Sequence, residues 1–380
     1  MLTVEGTHNH AVVFTDTIDP AARGQVQALC DCPHLAGSTI RIMPDVHAGA
    51  GVAIGTTLTY TDTVVPGLVG VDIGCGVETV VLSDPRLELP RLDAVVRSVV
   101  PVGTAVRATP HRYVSRLDLD DLRCDVDADR AELSLGTLGG GNHFVEVDTD
   151  DDGTHYLLVH SGSRNLGAQV ARHYQQRGYD ELGGRGQSDV PFELAYVSGQ
   201  TLDDYLHDIA VVQQFADLNR RAIADDIVKK MHLRVADRIS TVHNYVDAEH
   251  QTVRKGAVSA RAGERIVIPI NMRDGALVCT GLGNPEWNHS APHGAGRLMS
   301  RSEVKQHYTV SAYKKAMAGV FSSTVDAGTL DECPMAYKDL DEIVSRIGPT
   351  ARVDRRIRTV YNFKASDDPD GRSPRRHQRR

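Results

Sequence analysis

Six short blocks, rich in glycine and polar residues, carry the side chains of this 380-residue chain best suited to chemistry at phosphorus. They are Met43-Pro-Asp-Val-His47, Val71-Asp-Ile-Gly-Cys-Gly76, Gly139-Gly-Gly-Asn-His143, His160-Ser-Gly-Ser-Arg164, His243-Asn244 and His293-Gly-Ala-Gly-Arg297. Each offers a metal ligand, a nucleophile or a phosphate-binding group. No block is decisive alone. Together, in this order, they hold the parts of metal-dependent nucleotidyl transfer.

Asp72 and Cys75 share one glycine-rich turn. Glycine lets a backbone turn tightly and approach a ligand closely. A carboxylate and a thiolate from such a turn can bind metal, and a thiolate can bridge two metals. Taken alone, Asp-x-x-Cys reads more often as a plain turn with a buried cysteine. His143, His160 and His243 shift that balance, because each sits beside Gly, Asn or Ser. Imidazole, thiolate and carboxylate together suit a borderline transition metal better than magnesium or calcium. Five ligands are enough for two ions sharing the sulfur. On affinity such a set favours zinc over manganese, so the residues do not name the metal.

His293 is followed by two glycines that leave its imidazole unobstructed. A histidine nitrogen is a competent nucleophile toward phosphorus. Asp45 or His47 is placed to orient it through its other nitrogen. Arg297, and Arg301 one helical turn later, are candidate phosphate clamps. The bland reading is a glycine-rich loop before a helix starting near Ser300. The chain has no P-loop and no convincing G-x-G-x-x-G after a strand, so ordinary NTPase and dinucleotide-binding readings are poor.

The elements that must position these groups are mixed. Residues 1–85 read as strand-rich, with strands at 11–14, 51–60 and 79–82. Residues 86–100, 116–134 and 165–180 have helical spacing, and 144–147 and 156–160 read as buried strands. Residues 201–240 form the longest helical pattern, with one break. Strands follow at 265–270 and 276–281, helices at 302–320 and 338–347, and a last strand at 358–364. The loaded blocks run along the whole chain, which argues for one compact domain over residues 1–364. A basic tail from 365 to 380 is expected to be disordered.

Six cysteines make no disulfide framework in a chain this long. Cys30 and Cys32 form a C-x-C pair that reads as two reduced thiols rather than a metal site. The N-terminus lacks a signal peptide and no apolar run is long enough to span a bilayer, so the expected location is the cytoplasm. A net charge of -8 argues weakly against nucleic acid, but it is unevenly spread. Residues 116–152 are rich in Asp and residues 352–380 in Arg. These read as an acidic solvated loop and a basic tail.

The blocks resemble the RtcB family of GTP-dependent RNA ligases over roughly residues 40–364, through MPDVHAGAG, VGVDIGCGV, LGTLGGGNHFVEV, HSGSRNLG, HNYV, SAPHGAGRLMSR, DECPMAYKDLDEIV and YNFK. The resemblance implies a single α+β domain with mixed β-sheets around a deep metal-containing cleft and helices outside. It implies two manganese ions, one on Cys75, His160 and His243, the other on Asp72, Cys75 and His143. His293 would be the guanylylated nucleophile, oriented by Asp45. Asn142, Arg164 and Arg297 would hold phosphates of GTP. Glu146 and Lys364 would read the guanine, and Tyr337 would stack on it. The implied substrates are RNA ends, a 3′-phosphate or 2′,3′-cyclic phosphate and a 5′-hydroxyl, in RNA repair or tRNA splicing. An archease-like activator is a further partner this family suggests. Residues Ile270 to Ala276 depart from the family's Gly-Ser-Met-Gly-Thr type segment, with Asn271 and Ala276 where serines are expected. That departure bears on nucleotide preference and substrate choice. Two other readings stand beside the ligase: an enzyme that caps 3′-phosphates without sealing, and a non-catalytic metal- or RNA-binding relative.

Overall fold

The computed structural model describes residues 1–187 and 189–365. It is an α+β architecture built on two large sheets. The first sheet has six strands in the order Leu2–Glu5, His10–Val13, Ile40–His47, Ile54–Thr59, Thr252–Lys255 and Asn244–Asp247. Its one parallel pair joins His10–Val13 to Ile40–His47, and the helix Pro20–Cys30 makes that crossover. The helix starts where Asp19 accepts from the Ala22 N–H and Pro20 supplies a preset φ.

The second sheet has seven antiparallel strands. Their order is Val235–Val242, Gly76–Leu82, His155–Ser161, Phe144–Thr149, Ala351–Lys364, Gly275–Gly281 and Arg265–Asn271. The two edge strands approach each other, with Arg265 Nη2 donating to the Arg238 carbonyl at 2.9 Å, so the sheet curls into a half-barrel. Val77, Phe144, Tyr156, Leu158, Val267 and Ile357 fill its interior.

Outside the half-barrel lies the helix Leu89–Val99, and across both sheets runs the helix Gly199–Met231. At 1.5 Å per residue this helix is roughly 50 Å long. Ile209, Val212 and Phe215 join the core beneath the six-stranded sheet. Ile223, Ile227 and Met231 join the core behind the half-barrel. Its middle carries two buried polar residues, Asn219 and Arg220. Asn219 accepts from the Gly136 and Thr137 N–H groups and donates to Thr137 O, Ser161 Oγ and Gly162 O. Arg220 Nη1 donates to Gly74 O at 2.6 Å and Ser161 O at 3.2 Å. One helix thus braces the turns that precede His143, follow His160 and contain Cys75.

The structure corrects several expected elements. The helix expected over 201–240 ends at Met231, where His232 takes a left-handed φ of 59°, and Val235–Val242 is a strand paired to Gly76–Leu82. Val235, Ile239, Thr241 and Val242 are β-branched, and pairing with a sheet edge outweighs their tolerance of a helix. Of the helix expected over 116–134 only Ala128–Ser134 forms. The preceding loop is tied to the long helix instead, with Asp208 accepting from the Arg123 and Cys124 N–H groups. Residues 302–320 split into Arg301–His307 and Val310–Ala316, because Thr309 caps a new helix start. The strand expected at 358–364 begins earlier, at Ala351.

Its arginines are less free than their number suggests. Arg355 pairs with Asp150 and Asp152, and Arg358 with Asp151. The acidic turn and the first part of the basic stretch therefore neutralise each other. The expected tail falls on residues 366–380, outside the described residues, while Ala365 is buried. Cys30 and Cys32 each lie near a backbone carbonyl, and burial pushes both thiols up to about 11. Among the described residues no helix is long and apolar enough to cross a membrane.

Replacing Asn219 with isosteric Leu strands five hydrogen bonds in the interior. We expect a loss of about 3 kcal/mol or more in urea unfolding. By contrast Val235→Ala, on a 40% exposed side chain, should stay within about 0.5 kcal/mol. Equal effects would contradict the bracing role.

Candidate active site

Five side chains from four turns and strand ends converge at the mouth of the half-barrel. Cys75 Sγ lies 3.2 Å from His160 Nε2 and 3.6 Å from His143 Nε2. His160 Nε2 is 3.4 Å from His243 Nε2, and His143 Nε2 is 2.9 Å from Asp72 Oδ2. The donor atoms form two groups, Cys75 with His160 and His243, and Asp72 with Cys75 and His143, each within 4.8 Å. Cys75 belongs to both. Gly162 makes room for this packing, since a Cβ there would lie 2.0 Å from Asp72 Oδ1.

The donor set fits divalent cations. His143 Nδ1 lies 2.8 Å from the Leu138 carbonyl and His160 Nδ1 3.2 Å from the Asn142 carbonyl. A carbonyl only accepts, so each Nδ1 carries the proton and each Nε2 presents a lone pair. Those lone pairs face a sulfur, a carboxylate and another imidazole. Acceptors meeting acceptors in a buried site call for a cation among them. Burial, then neighbouring imidazoles, keep His160 and His243 well below the usual histidine range, hence neutral and ready to ligate. Burial opposes ionisation of Asp72, but the Arg164 charge helps hold it below the usual range. Burial and the Asp72 charge push the Cys75 thiol up, and a bound cation reverses that.

His293 stands beside this cluster, its ring centroid 4.9 Å from that of His243. Asp45 Oδ2 is 2.6 Å from His293 Nδ1 and also accepts from the His293 and Gly294 N–H groups. Asp45 is fully buried, so the carboxylate fixes the ring and its tautomer, leaving Nε2 open. The loop that carries His293 closes over Asp45 at Gly296 (φ 77°), where a Cβ would meet the Asp45 carbonyl at 2.2 Å. Of the two candidate orienting residues, Asp45 makes the contact. His47 turns away and bonds the Asp45 backbone carbonyl at 2.9 Å.

Two cavities flank His293. The larger, about 760 Å³, is lined by Asn142, Glu146, Arg297, Tyr337, Asn362 and Lys364. The smaller, about 420 Å³, reaches Asp72, Cys75, Arg172, Asn244 and Lys255. Both include His243 and His293.

Behind the wall of the larger cavity a buried carboxylate, Glu332, gathers the charged residues. It pairs with Arg297 at 3.1 Å, Arg301 at 2.9 Å and Lys364, and it accepts from Tyr337 Oη at 2.6 Å. Burial opposes its charge, but Lys364 and the two arginines hold it down at about 2. Arg297 is committed on all three nitrogens, also donating to Met299 O and Asp331 O. It lies over one face of Tyr337, which also lines the larger cavity. Arg164 lines neither cavity. It sits behind His143, with Nη1 3.3 Å from His143 Nδ1. Asn271 is on the cleft wall, whereas Ala276 is buried inside the half-barrel.

Glu332 and Lys255 are absent from the residues singled out in the sequence. Glu332 lay within a recognised block, Asp331-Glu332-Cys-Pro, but its role depends on partners distant in sequence. Lys255 is buried, its Nζ donates to the Gly67 carbonyl at 2.9 Å, and burial pushes it down to about 8. A lysine in a strand otherwise rich in polar residues gave no signal of that burial.

Titrating the full-length protein with cobalt(II) should produce thiolate-to-metal charge-transfer absorption. Cys75→Ser should abolish it, and Gly162→Ala should weaken binding by about tenfold or more by displacing Asp72. Absence of the band in the wild type would contradict a cysteine-bridged site.

Comparison with known proteins agrees with this arrangement. A family model described as tRNA-splicing ligase RtcB matches residues 25–122 and 120–365. The chain is 34% identical over 371 residues to RNA-splicing ligase RtcB1 of Escherichia coli, covering 86% of this chain and 90% of the relative. It is 30% identical over 393 residues to RNA-splicing ligase RtcB of Mycobacterium tuberculosis, covering 80% and 90%. It is 28% identical over 401 residues to tRNA-splicing ligase RtcB of Nanoarchaeum equitans, covering 80% and 83%. A match over nearly the whole chain, on the turns that bring the five ligands together, makes this protein a member of the RtcB family.

Proposed function

We propose that this chain is an RNA ligase that joins a 3′-phosphate or 2′,3′-cyclic phosphate end to a 5′-hydroxyl end, using GTP and a guanylylated His293. One observation carries the reading. An imidazole fixed by a buried carboxylate has its free nitrogen open to two cavities beside a five-ligand metal cluster. The splicing-ligase names of its relatives support RNA as the substrate.

Cys75, His160 and His243 would hold one divalent cation, and Asp72, Cys75 and His143 another. The family likeness points to manganese. Bound there, the cations supply Lewis-acid stabilisation of charge on phosphate oxygens. Asn142 and Arg172 would contact phosphates, and Arg164 would support the cluster from behind. Glu146, Lys364 and Tyr337 would form the base end of the larger cavity. Arg297 would act through the Glu332 network as it stands, or through a rearrangement that frees it toward phosphate.

In the first step His293 Nε2 attacks the α-phosphorus of GTP. The bond to the bridging oxygen breaks and pyrophosphate leaves. Asp45 holds the Nδ1 proton and stabilises positive charge on the ring as the bond forms. The guanylate then passes from Nε2 to an oxygen of the RNA 3′-phosphate, restoring the free imidazole. A 5′-hydroxyl attacks that activated phosphate, its proton is lost to a base or solvent, and GMP departs. A cyclic phosphate must first be opened by water. A bare phosphate monoester is a poor electrophile, and guanylylation gives it a leaving group. The smaller cavity, with Lys255 and Arg172, offers the second approach to the nucleophile that two polynucleotide ends require.

The test is a ligation assay with 3′-phosphate and 5′-hydroxyl RNA, GTP and manganese, with and without an archease-like activator. We expect a joined product, none with His293→Ala, and a drop of roughly 100-fold or more with Asp45→Asn. Guanylate-capped 3′ ends without joining would replace sealing by capping. Neither product with any nucleotide would favour the non-catalytic reading.

A further inference from the structure

Behind Glu146, on the same face of the strand Phe144–Thr149, lies a second carboxyl group, Asp148, which the reaction above does not use. Residues two apart on a strand point the same way, so both side chains enter the half-barrel. The register sets Asn362 beside Glu146 and Thr359 beside Asp148. Thr79 lies in the same row as Glu146, beyond Leu158. Glu146 is 2% exposed and lines the cleft, whereas Asp148 is fully buried.

Asn362 Nδ2 donates to Glu146 Oε2 at 2.5 Å. With both carboxyl groups ionised, both Asp148 oxygens, Asn362 Oδ1, Thr359 Oγ1 and Thr79 Oγ1 are buried without a hydrogen bond of good geometry among the described residues. So many orphaned polar atoms in one patch carry a high cost. One proton relieves much of it, because two adjacent buried carboxyl groups cannot both ionise and a shared proton supplies a donor. Burial and then the Glu146 charge push Asp148 well above the carboxylate range. Burial raises Glu146 too, to about 7, but the Asn362 amide and the Lys364 charge oppose it. The deeper residue therefore keeps the proton, and the charge stays at the cleft wall.

We infer that protonated Asp148 is a positioning residue for base selection, its O–H donating to Glu146 and holding that carboxylate ionised toward the cleft. An ionised Glu146 accepts two N–H groups from one base edge, as guanine offers through N1–H and its 2-amino group. A neutral Glu146 offers one donor and one acceptor, which suits adenine through N1 and its 6-amino group. The inference rests on the reading that the nucleotide base lies against Glu146.

The experiment measures Kd for GTP and ATP by calorimetry on the full-length protein, comparing wild type with Asp148→Asn, Asp148→Leu and Glu146→Gln. Wild type should prefer GTP. Asp148→Asn, whose amide still donates, should keep the preference within about threefold, and Asp148→Leu should cut it by about tenfold or more, the size of one hydrogen bond to a charged group. An unchanged preference in Asp148→Leu overturns the inference while leaving the base reading intact. No preference in wild type, with no effect of Glu146→Gln, overturns the base reading and the selection role with it. The infrared difference between wild type and Asp148→Asn at neutral pH gives a readout free of nucleotide and of Asp148→Leu folding. Loss of a protonated-carboxyl C=O band is expected, and its absence refutes the protonated Asp148.

Discussion

Two adjacent polar residues in the middle of one long helix hold the site together. Asn219 and Arg220 are buried among apolar neighbours, and their hydrogen bonds go to the turns bearing Cys75 and Gly162 and to the turn before His143. Turn backbones in a core have unpaired N–H and C=O groups, each costly unless satisfied. The helix satisfies them from a fixed axis. Its apolar stripes are buried in two separate cores, one on each side of this node. The ligand turns therefore cannot shift independently of the sheets, which is the rigidity a metal cluster needs from its supporting shell.

Charge is distributed by the same logic. The ligand cluster gathers imidazole, carboxylate and sulfur groups suited to a cation, and the wall of the cavity next to it carries cations gathered on one carboxylate, Glu332. Removing a single member of such a buried network leaves its partners uncompensated. This couples Arg297, Arg301, Tyr337 and Lys364, so they are better regarded as one wall than as four separate contacts. His293 lies between the two regions, where an anionic triphosphate would meet cations on one side and arginine and lysine on the other.

Much of this was legible in the sequence, though unevenly. The five candidate ligands and His293 could be picked out because chemistry limits which residues do such work, and glycines beside them mark tight turns. The helix Arg164–Gly184 and the strands Phe144–Thr149 and His155–Ser161 follow from hydrophobic pattern. The strand Ile40–His47 was not foreseen, since Pro44 and Asp45 break the expected pattern and long-range pairing with Ile54–Thr59 restores it. The strand Val235–Val242 was hidden behind a helix whose periodicity seemed to continue. Glu332, Lys255 and the orienting choice between Asp45 and His47 depend on contacts between residues far apart in the chain, which spacing does not encode. The sign of the C-terminal charge was readable, but its cancellation by Asp150, Asp151 and Asp152 was not.

Covalent attachment of a guanylate to His293 Nε2 is the step on which the proposed ligase rests. Incubating the full-length protein with α-labelled GTP and manganese, then denaturing it and mapping the label by peptide mass spectrometry, tests this directly. We expect an acid-labile, alkali-stable guanylate on the peptide containing His293 and on no other. Label elsewhere, or none with manganese, zinc and cobalt each supplied, would contradict it.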